Sequence, residues 1–110
     1  MKYPKEYLDE IKTRLKVSTV VSKSVNLKKR GKEFVGLSPF KTEKTPSFTV
    51  NDEKGFYHCF STAEHGNIFD FIMKTQNLKF GEAVKYLANL AGMQPYLFSK
   101  KDEEREKQWN

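Results

Sequence analysis

Apolar positions recur in two rhythms along this chain. Behind Pro4, which suits the first turn of a helix because its missing N–H goes unneeded there, Leu8, Ile11 and Leu15 return at helical spacing. That spacing predicts an amphipathic helix over 4–15. A short second helix follows, capped by Ser18 and buried through Val20, Val21 and Val25. From Asn26 the texture becomes NLKKRGKEFVGLS, two short extended runs about Arg30-Gly31-Lys32, where glycine supplies the positive φ of a tight turn. A second hairpin is read from Ser47 to Phe60. Phe48 and Val50 share one face of its first strand, Asn51 to Gly55 is a turn signal, and on its second strand Phe56, His58 and Phe60 point opposite to Tyr57 and Cys59. After the loop STAEHG, Asn67 caps a third helix over 67–76 whose stripe is Ile68, Phe71, Ile72 and Thr75. Phe80 opens a fourth, with Val84, Leu87, Ala88 and Ala91 on its apolar side and Gly92 as its left-handed stop. Met93 to Phe98 packs back as an irregular strap.

These elements predict an α+β domain: an antiparallel sheet of four to five strands flanked by N-terminal and C-terminal helices. The helices cover one sheet face and leave the other, beside the basic hairpin, for a partner. Beyond Ser99 the run KKDEEREKQWN holds Trp109 as its one apolar residue and cannot bury a face, so the chain divides into a domain over 1–98 and a charged linker over 99–110. A length of 110 residues with 37% hydrophobic content, nine Phe and five Tyr suffices for one core. No apolar run approaches the ~20 residues of a membrane span, and the start MKYPKEYLDE lacks the apolar segment of a secretory signal. The expected location is the cytoplasm, with no membrane partner. The single cysteine cannot form an internal disulfide, in keeping with a reducing compartment.

Charge adds a direction to this picture. The formal net charge is +6, and Asn26 to Lys44 carries six basic residues against two acidic ones. Clustered Lys and Arg gain affinity for nucleic acid by releasing counterions from phosphates; the plain alternative is a solvated hairpin edge, where lysines discourage strand-to-strand association.

The stretch VGLSPFKTEKTPSFTVNDEKGFYHCFSTAEHGN, from Val35 to Asn67, resembles the zinc ribbon that opens bacterial DNA primases of the DnaG type, the CHC2 zinc finger. The likeness extends to the N-terminal helices, to Glu43-Lys44-Thr45-Pro46-Ser47-Phe48, to Phe56-Tyr57-His58-Cys59-Phe60, to Gly66-Asn67 and to Glu82-Ala83-Val84. It implies a cytoplasmic, nucleoid-associated domain that contacts single-stranded DNA template and helps choose the start site for RNA primer synthesis. The partners implied are a primase polymerase domain in cis or in trans and, through other domains, the replicative helicase. The acidic metal-binding residues of that polymerase have no counterpart here, so this chain carries no catalytic residues.

In that family the two ribbon loops carry a Cys-Pro-x-His pair and a Cys-x-x-Cys pair, and the same frames read Ser38-Pro39-Phe40-Lys41 and Cys59-Phe60-Ser61-Thr62. Structural zinc takes four thiolate, imidazole or carboxylate ligands, whereas Ser38 and Thr62 bring neutral hydroxyls and Lys41 a positive charge. A rearranged set of Cys59, His65 and Glu64 is one ligand short. The expectation is that no zinc is bound and that Cys59 is a small buried apolar residue. Structural zinc contributes on the order of 10 kcal/mol in small domains, so a replacement is expected. Either a cluster of Ser38, Thr62 and the Lys41 ammonium holds the loops, or Phe40, Phe48, Phe56 and Phe60 supply enough core.

For strand binding, Lys28, Arg30, Lys32, Lys44 and Lys54 are the candidate phosphate contacts, led by Lys44 and Arg30. Tyr57, or Phe56 if exposed, is the candidate stacking platform, with core packing as the alternative for each ring. Two other classes remain in view. A Cys59 nucleophile needs His58 or His65 within hydrogen-bond reach, which strand alternation already denies to His58. A protein-interaction module docking on polymerase or helicase domains, with no direct DNA contact, is the other.

Overall fold

The computed structural model describes residues 3–97. Two helices, α1 (Lys5–Arg14) and α2 (Val17–Val21), lead into five strands, β1 (Lys28–Arg30), β2 (Glu33–Gly36), β3 (Phe48–Asn51), β4 (Phe56–Cys59) and β5 (His65–Gly66). Two more helices, α3 (Ile68–Gln76) and α4 (Phe80–Leu90), complete the α+β fold. The fourth and fifth strands are joined through residues that the sequence reads as a loop, and His65 and Gly66 pair with His58 and Tyr57 to form β5.

The strands form one antiparallel meander in the order β1-β2-β3-β4-β5. Because successive strand residues face opposite sides, the register sorts the sheet into rows. Lys28, Val35, Thr49, His58 and His65 make one continuous row across all five strands. The neighbouring row, Lys29, Phe34, Val50, Tyr57 and Gly66, points the other way. The second row meets the helices. Phe48, Val50, Tyr57 and Cys59 are fully buried there together with Ile11, Val21, Phe71 and Leu87. At its centre the rings of Phe40, Phe48, Tyr57 and Phe71 pack with centroids 5.4 to 6.4 Å apart.

Local chemistry sets the element ends. Pro4 is the cap of α1 and the helix begins one residue later. Lys16 rather than Ser18 stands at the cap of α2. Ser18 lies inside the first turn, where its N–H and hydroxyl both donate to the Asp52 carboxylate at 2.8 and 2.5 Å. The free N–H groups of a helix start need acceptors, and here a side chain from the β3–β4 turn supplies one across the fold. In α3 the Asn67 side chain accepts from Phe69 and Asp70 while Asp70 accepts the Asn67 N–H, a complete capping box. Gly31 takes φ +64° in the β1–β2 turn, as its position demanded. Gly36 is needed for a different reason: a Cβ there would lie 2.7 Å from the Asn26 carbonyl oxygen where β2 passes under the α2–β1 link. The strap after α4 packs back through Tyr96, whose ring meets Tyr3 and Tyr7, and the Tyr7 hydroxyl donates to the Gln94 carbonyl at 2.8 Å. Phe98 and the linker expected over 99–110 lie outside the described residues.

Candidate nucleic-acid interface and ribbon loops

Among the described residues, no helix lies over one face of the meander. Its central row runs from Lys28 on the edge strand through Val35, Thr49 and His58 to His65. Arg30 lies on the same face two residues from Lys28, paired with Glu33. Phe56 and Phe60 flank His58 on β4 and its continuation, 42% and 69% exposed, and the Phe60 ring sits 4.4 Å from the His58 imidazole. The face thus grades from cationic at the β1 edge to aromatic and imidazole-bearing at β4 and β5.

The candidate cations fall at two places. Arg30, Lys32 and Lys54 lie at the end of the sheet where the β1–β2 and β3–β4 turns meet, and all three are exposed. At the opposite end Lys44 joins Lys28 on the wall of a groove of about 540 Å³ between the α2–β1 link and the first ribbon loop, with Val35, Leu37, Pro39 and Pro46 as apolar lining.

Tyr57 requires a correction. It is 0% exposed and stacks on Phe48 with centroids 5.4 Å apart, so it offers no platform to a base. Its register with Val50 and Phe34 places it on the helix side. Burial raises its phenol above the ordinary value, helped by the negative charges of Asp70 and Glu64. The exposed rings on β4 and its continuation are Phe56 and Phe60, which therefore do not join Phe40 and Phe48 in the core.

Both ribbon loops, residues 37–47 and 60–64, lie at the Lys44 end of the sheet, where the metal frame of the sequence places its four positions. Three of them meet. The Cys59 thiol donates to Ser38 Oγ at 3.2 Å, and Thr62 hydrogen-bonds to the same sulfur. Ser61 Oγ lies 3.3 Å from Sγ, and Ser47 Oγ lies 3.9 Å away. Burial pushes the Cys59 thiol up, but the hydrogen bonds from Ser38, Ser61 and Thr62 outweigh it and bring it down to about 6. Hydroxyls that turn to donate to the sulfur favour the thiolate, which accepts their hydrogen bonds where the thiol would itself donate.

Lys41 does not join this cluster; its side chain is exposed. An ammonium is strongly hydrated, and the polar work in the first loop falls instead to Glu43, which the sequence shows as one of two acidic residues in the basic stretch and as the head of the Glu43-Lys44-Thr45-Pro46-Ser47-Phe48 likeness. Its Oε2 accepts the Ser38 N–H at 3.0 Å and the Ser47 N–H at 3.1 Å, and the Ser47 hydroxyl donates to both carboxylate oxygens at 2.8 Å. These bonds, led by the Ser38 N–H and the Ser47 hydroxyl, hold the Glu43 carboxyl below the ordinary carboxylate value. Ser47 Oγ lies 2.9 Å from Ser61 Oγ, which links the two loops.

The sequence profile of the family described as the CHC2 zinc finger, the zinc ribbon of DnaG, matches residues 3–104. The chain belongs to this family. The DNA primase of Haemophilus influenzae is 43% identical over 94 residues, covering 84% of this chain and 16% of that protein. The DNA primase of Pseudomonas putida is 46% identical over 91 residues, and that of Escherichia coli K12 is 43% identical over 91. Each of these two alignments takes in 83% of this chain, against 14% and 16% of the relative. The chain therefore spans about a sixth of the length of these primases. Among solved structures, the Aquifex aeolicus primase, comprising zinc-binding and RNA polymerase domains, superposes with a TM-score of 0.77 at 29% identity, over 86% of this chain and 24% of that one.

The CHC2 family binds zinc, and the residues here fit it poorly. Among the described residues no group of three or more His, Cys, Asp and Glu side chains is placed to hold a metal ion. His65 sits opposite His58 on the open face, across the sheet from Cys59, which removes it from a rearranged site and from any role as a base for the thiol. Glu64 is the nearest remaining donor in sequence; its Oε2 is buried with no hydrogen-bond partner among the described residues. Both oxygens of Glu43 are already engaged. No helix among the described residues is long and apolar enough to cross a membrane.

Proposed function

We propose that this domain is the template-binding piece of a bacterial DNA primase, one that binds single-stranded DNA across its open sheet face, helps set where primer synthesis starts, and does so without resident zinc. The observation that carries the reading is the graded open face: Lys28 and Arg30 at one edge, Phe60 over His58 at the other. Single strands are held by basic side chains along the phosphates and by rings beneath the bases, and this face presents both within one sheet. Lys32 and Lys54 extend the cationic edge at one end, and Lys44 at the other. Polymerisation belongs to a separate polymerase domain, in cis or in trans, and contact with the replicative helicase to other domains.

Fluorescence anisotropy with a labelled single-stranded oligonucleotide tests this directly. Binding should weaken steeply as salt rises, because phosphate contacts release counterions, and the pair Lys28→Glu and Arg30→Glu should weaken it about tenfold or more and flatten the salt slope. A wild-type chain that fails to bind at low salt, or a double variant that binds like wild type, would overturn the template reading in favour of a docking module that recognises protein alone.

A further inference from the structure

Tyr3 and Tyr7 at the start of α1, Tyr96 on the strap and the stretch from Val84 to Met93 enclose a cavity of about 290 Å³. None of its lining residues belongs to the sheet or to the ribbon loops. Val84 and Ala88 of α4, both buried, form its floor, while Lys85 and Asn89 stand exposed at its rim. Its walls are held in place. The Tyr7 and Tyr96 rings have centroids 5.3 Å apart, and the Tyr7 hydroxyl donates to the Gln94 carbonyl at 2.8 Å, which ties the strap to α1. A cavity of this size, walled by rings and floored by aliphatic groups, takes one large apolar side chain rather than a helix.

The chain beyond Leu97 carries such a side chain. Ser99 to Asn110 holds four basic and four acidic residues, so it brings no net charge back to a molecule of +6, and Trp109 is its one apolar residue. Pro95 and Tyr96 line the cavity, so the chain leaves the described fold beside it. The stretch from Leu97 to Trp109 spans up to ~40 Å if extended and ~18 Å if helical, and either length lets the ring turn back. An indole N–H asks for an acceptor, and the Asn89 side chain offers one at the rim. The family profile ends at residue 104, so Trp109 lies beyond the part of the chain that the zinc ribbons share.

We propose that Trp109 seats in this cavity and pins the charged segment back against α1 and α4. The indole covers the buried floor of α4 and closes the helical end of the domain. The contact depends neither on the template reading nor on the zinc-free reading, because the cavity shares no residue with the open face or with the ribbon loops.

Trp109 is the single tryptophan, so the tryptophan emission of the full chain reports on it alone. Acrylamide quenching is measured on the full chain as wild type, Met93→Lys and Asn89→Lys, at several protein concentrations, with N-acetyltryptophanamide in the same buffer as the reference. Wild type should emit to the blue of the reference and be quenched at least about threefold less, as expected for a ring that is docked most of the time. Met93→Lys sets an ammonium in the wall and should bring quenching close to that of the reference. Asn89→Lys, at an exposed position that the fold does not depend on, should move it part of the way. Circular dichroism melts establish that each variant is folded, and if Met93→Lys is not, Asn89→Lys decides alone. Wild-type quenching equal to the reference would overturn the proposal. Protection that survives unchanged in the folded variants would place the ring elsewhere and overturn it as well. Protection that disappears on dilution would assign the ring to the cavity of a second copy and overturn docking within one chain.

Discussion

Phe60 is 69% exposed on the open face and rests against His58, so it contributes little to the core and is the ring best placed for the proposed strand contact. Alanine at a base-stacking ring removes about 1–3 kcal/mol of strand binding. Phe60→Ala should therefore raise the dissociation constant for single-stranded DNA about tenfold while leaving the melting temperature within about a degree; an unchanged constant would remove the ring from the interface. Cys59 behaves oppositely, being wholly internal. Its thiol is lowered from the ordinary value of 9.0 to about 6, so its contribution to stability is complete above 9, declines below it, and is gone once pH has fallen through about 6. The melting-temperature gap between wild type and Cys59→Ala should widen from pH 5.5 to pH 9, and a gap independent of pH would mean that the sulfur stays protonated throughout. Tyr57 shows where residue-level reading stops. Alternation correctly places Tyr57 and Cys59 opposite Phe56, His58 and Phe60, but it does not say which side the helices cover, and the greasier set lies outside.

Among the elements, α2 and the β3–β4 hairpin are held together by Asp52. Its carboxylate takes two hydrogen bonds from Ser18, and no local cap stands in for it, since Lys16 makes no side-chain cap bond. Loss of such a cap costs about 1 kcal/mol, which in a domain of this size lowers the melting temperature by about 4–8 °C. Asp52→Ala should show that drop in a thermal melt, with Ser18→Ala showing less of it because its N–H survives; no drop in either would mean that α2 docks through its valines alone. Ser18 was legible as a helix-start residue, yet its partner lies 34 positions away, and no local pattern reports a cap arriving from another element. Glu43 was hidden for the same reason. A carboxylate in a polar loop looks solvated until the backbone N–H groups that converge on it are seen. The helices were easier, because Ile11, Phe71, Val84 and Leu87 are buried at the spacing that marked them. The edge strand β1 is Lys28, Lys29 and Arg30, all exposed, and three adjacent cations repel a second chain from the unpaired edge.

For the whole molecule, the order of elements and the α+β class followed from the two rhythms and from the likeness to primase ribbons, because each strand and helix carries its own local signal. What holds the ribbon end shut did not follow, since that depends on contacts between loops. The family frame itself is preserved closely enough to be tested by reversal: Ser38 and Thr62 both meet the Cys59 sulfur, and Lys41 lies on the same loop as Ser38. Combining Ser38→Cys, Lys41→His and Thr62→Cys should yield a chain that binds about one zinc and melts lower when EDTA is added. Elemental analysis and paired melts would decide it, and a triple variant indifferent to zinc would show that the first loop has drifted from the ligand geometry of its relatives.

The meander has a kinetic corollary. Every strand pairs with its neighbour in sequence, so each closure in the sheet joins segments separated by short stretches of chain, and short closures are entropically cheap and fast. A ribbon whose last fastening is an ion must meet that ion before it is finished. A ribbon without resident zinc, as proposed for this one, completes itself from within, at a pace set by the chain.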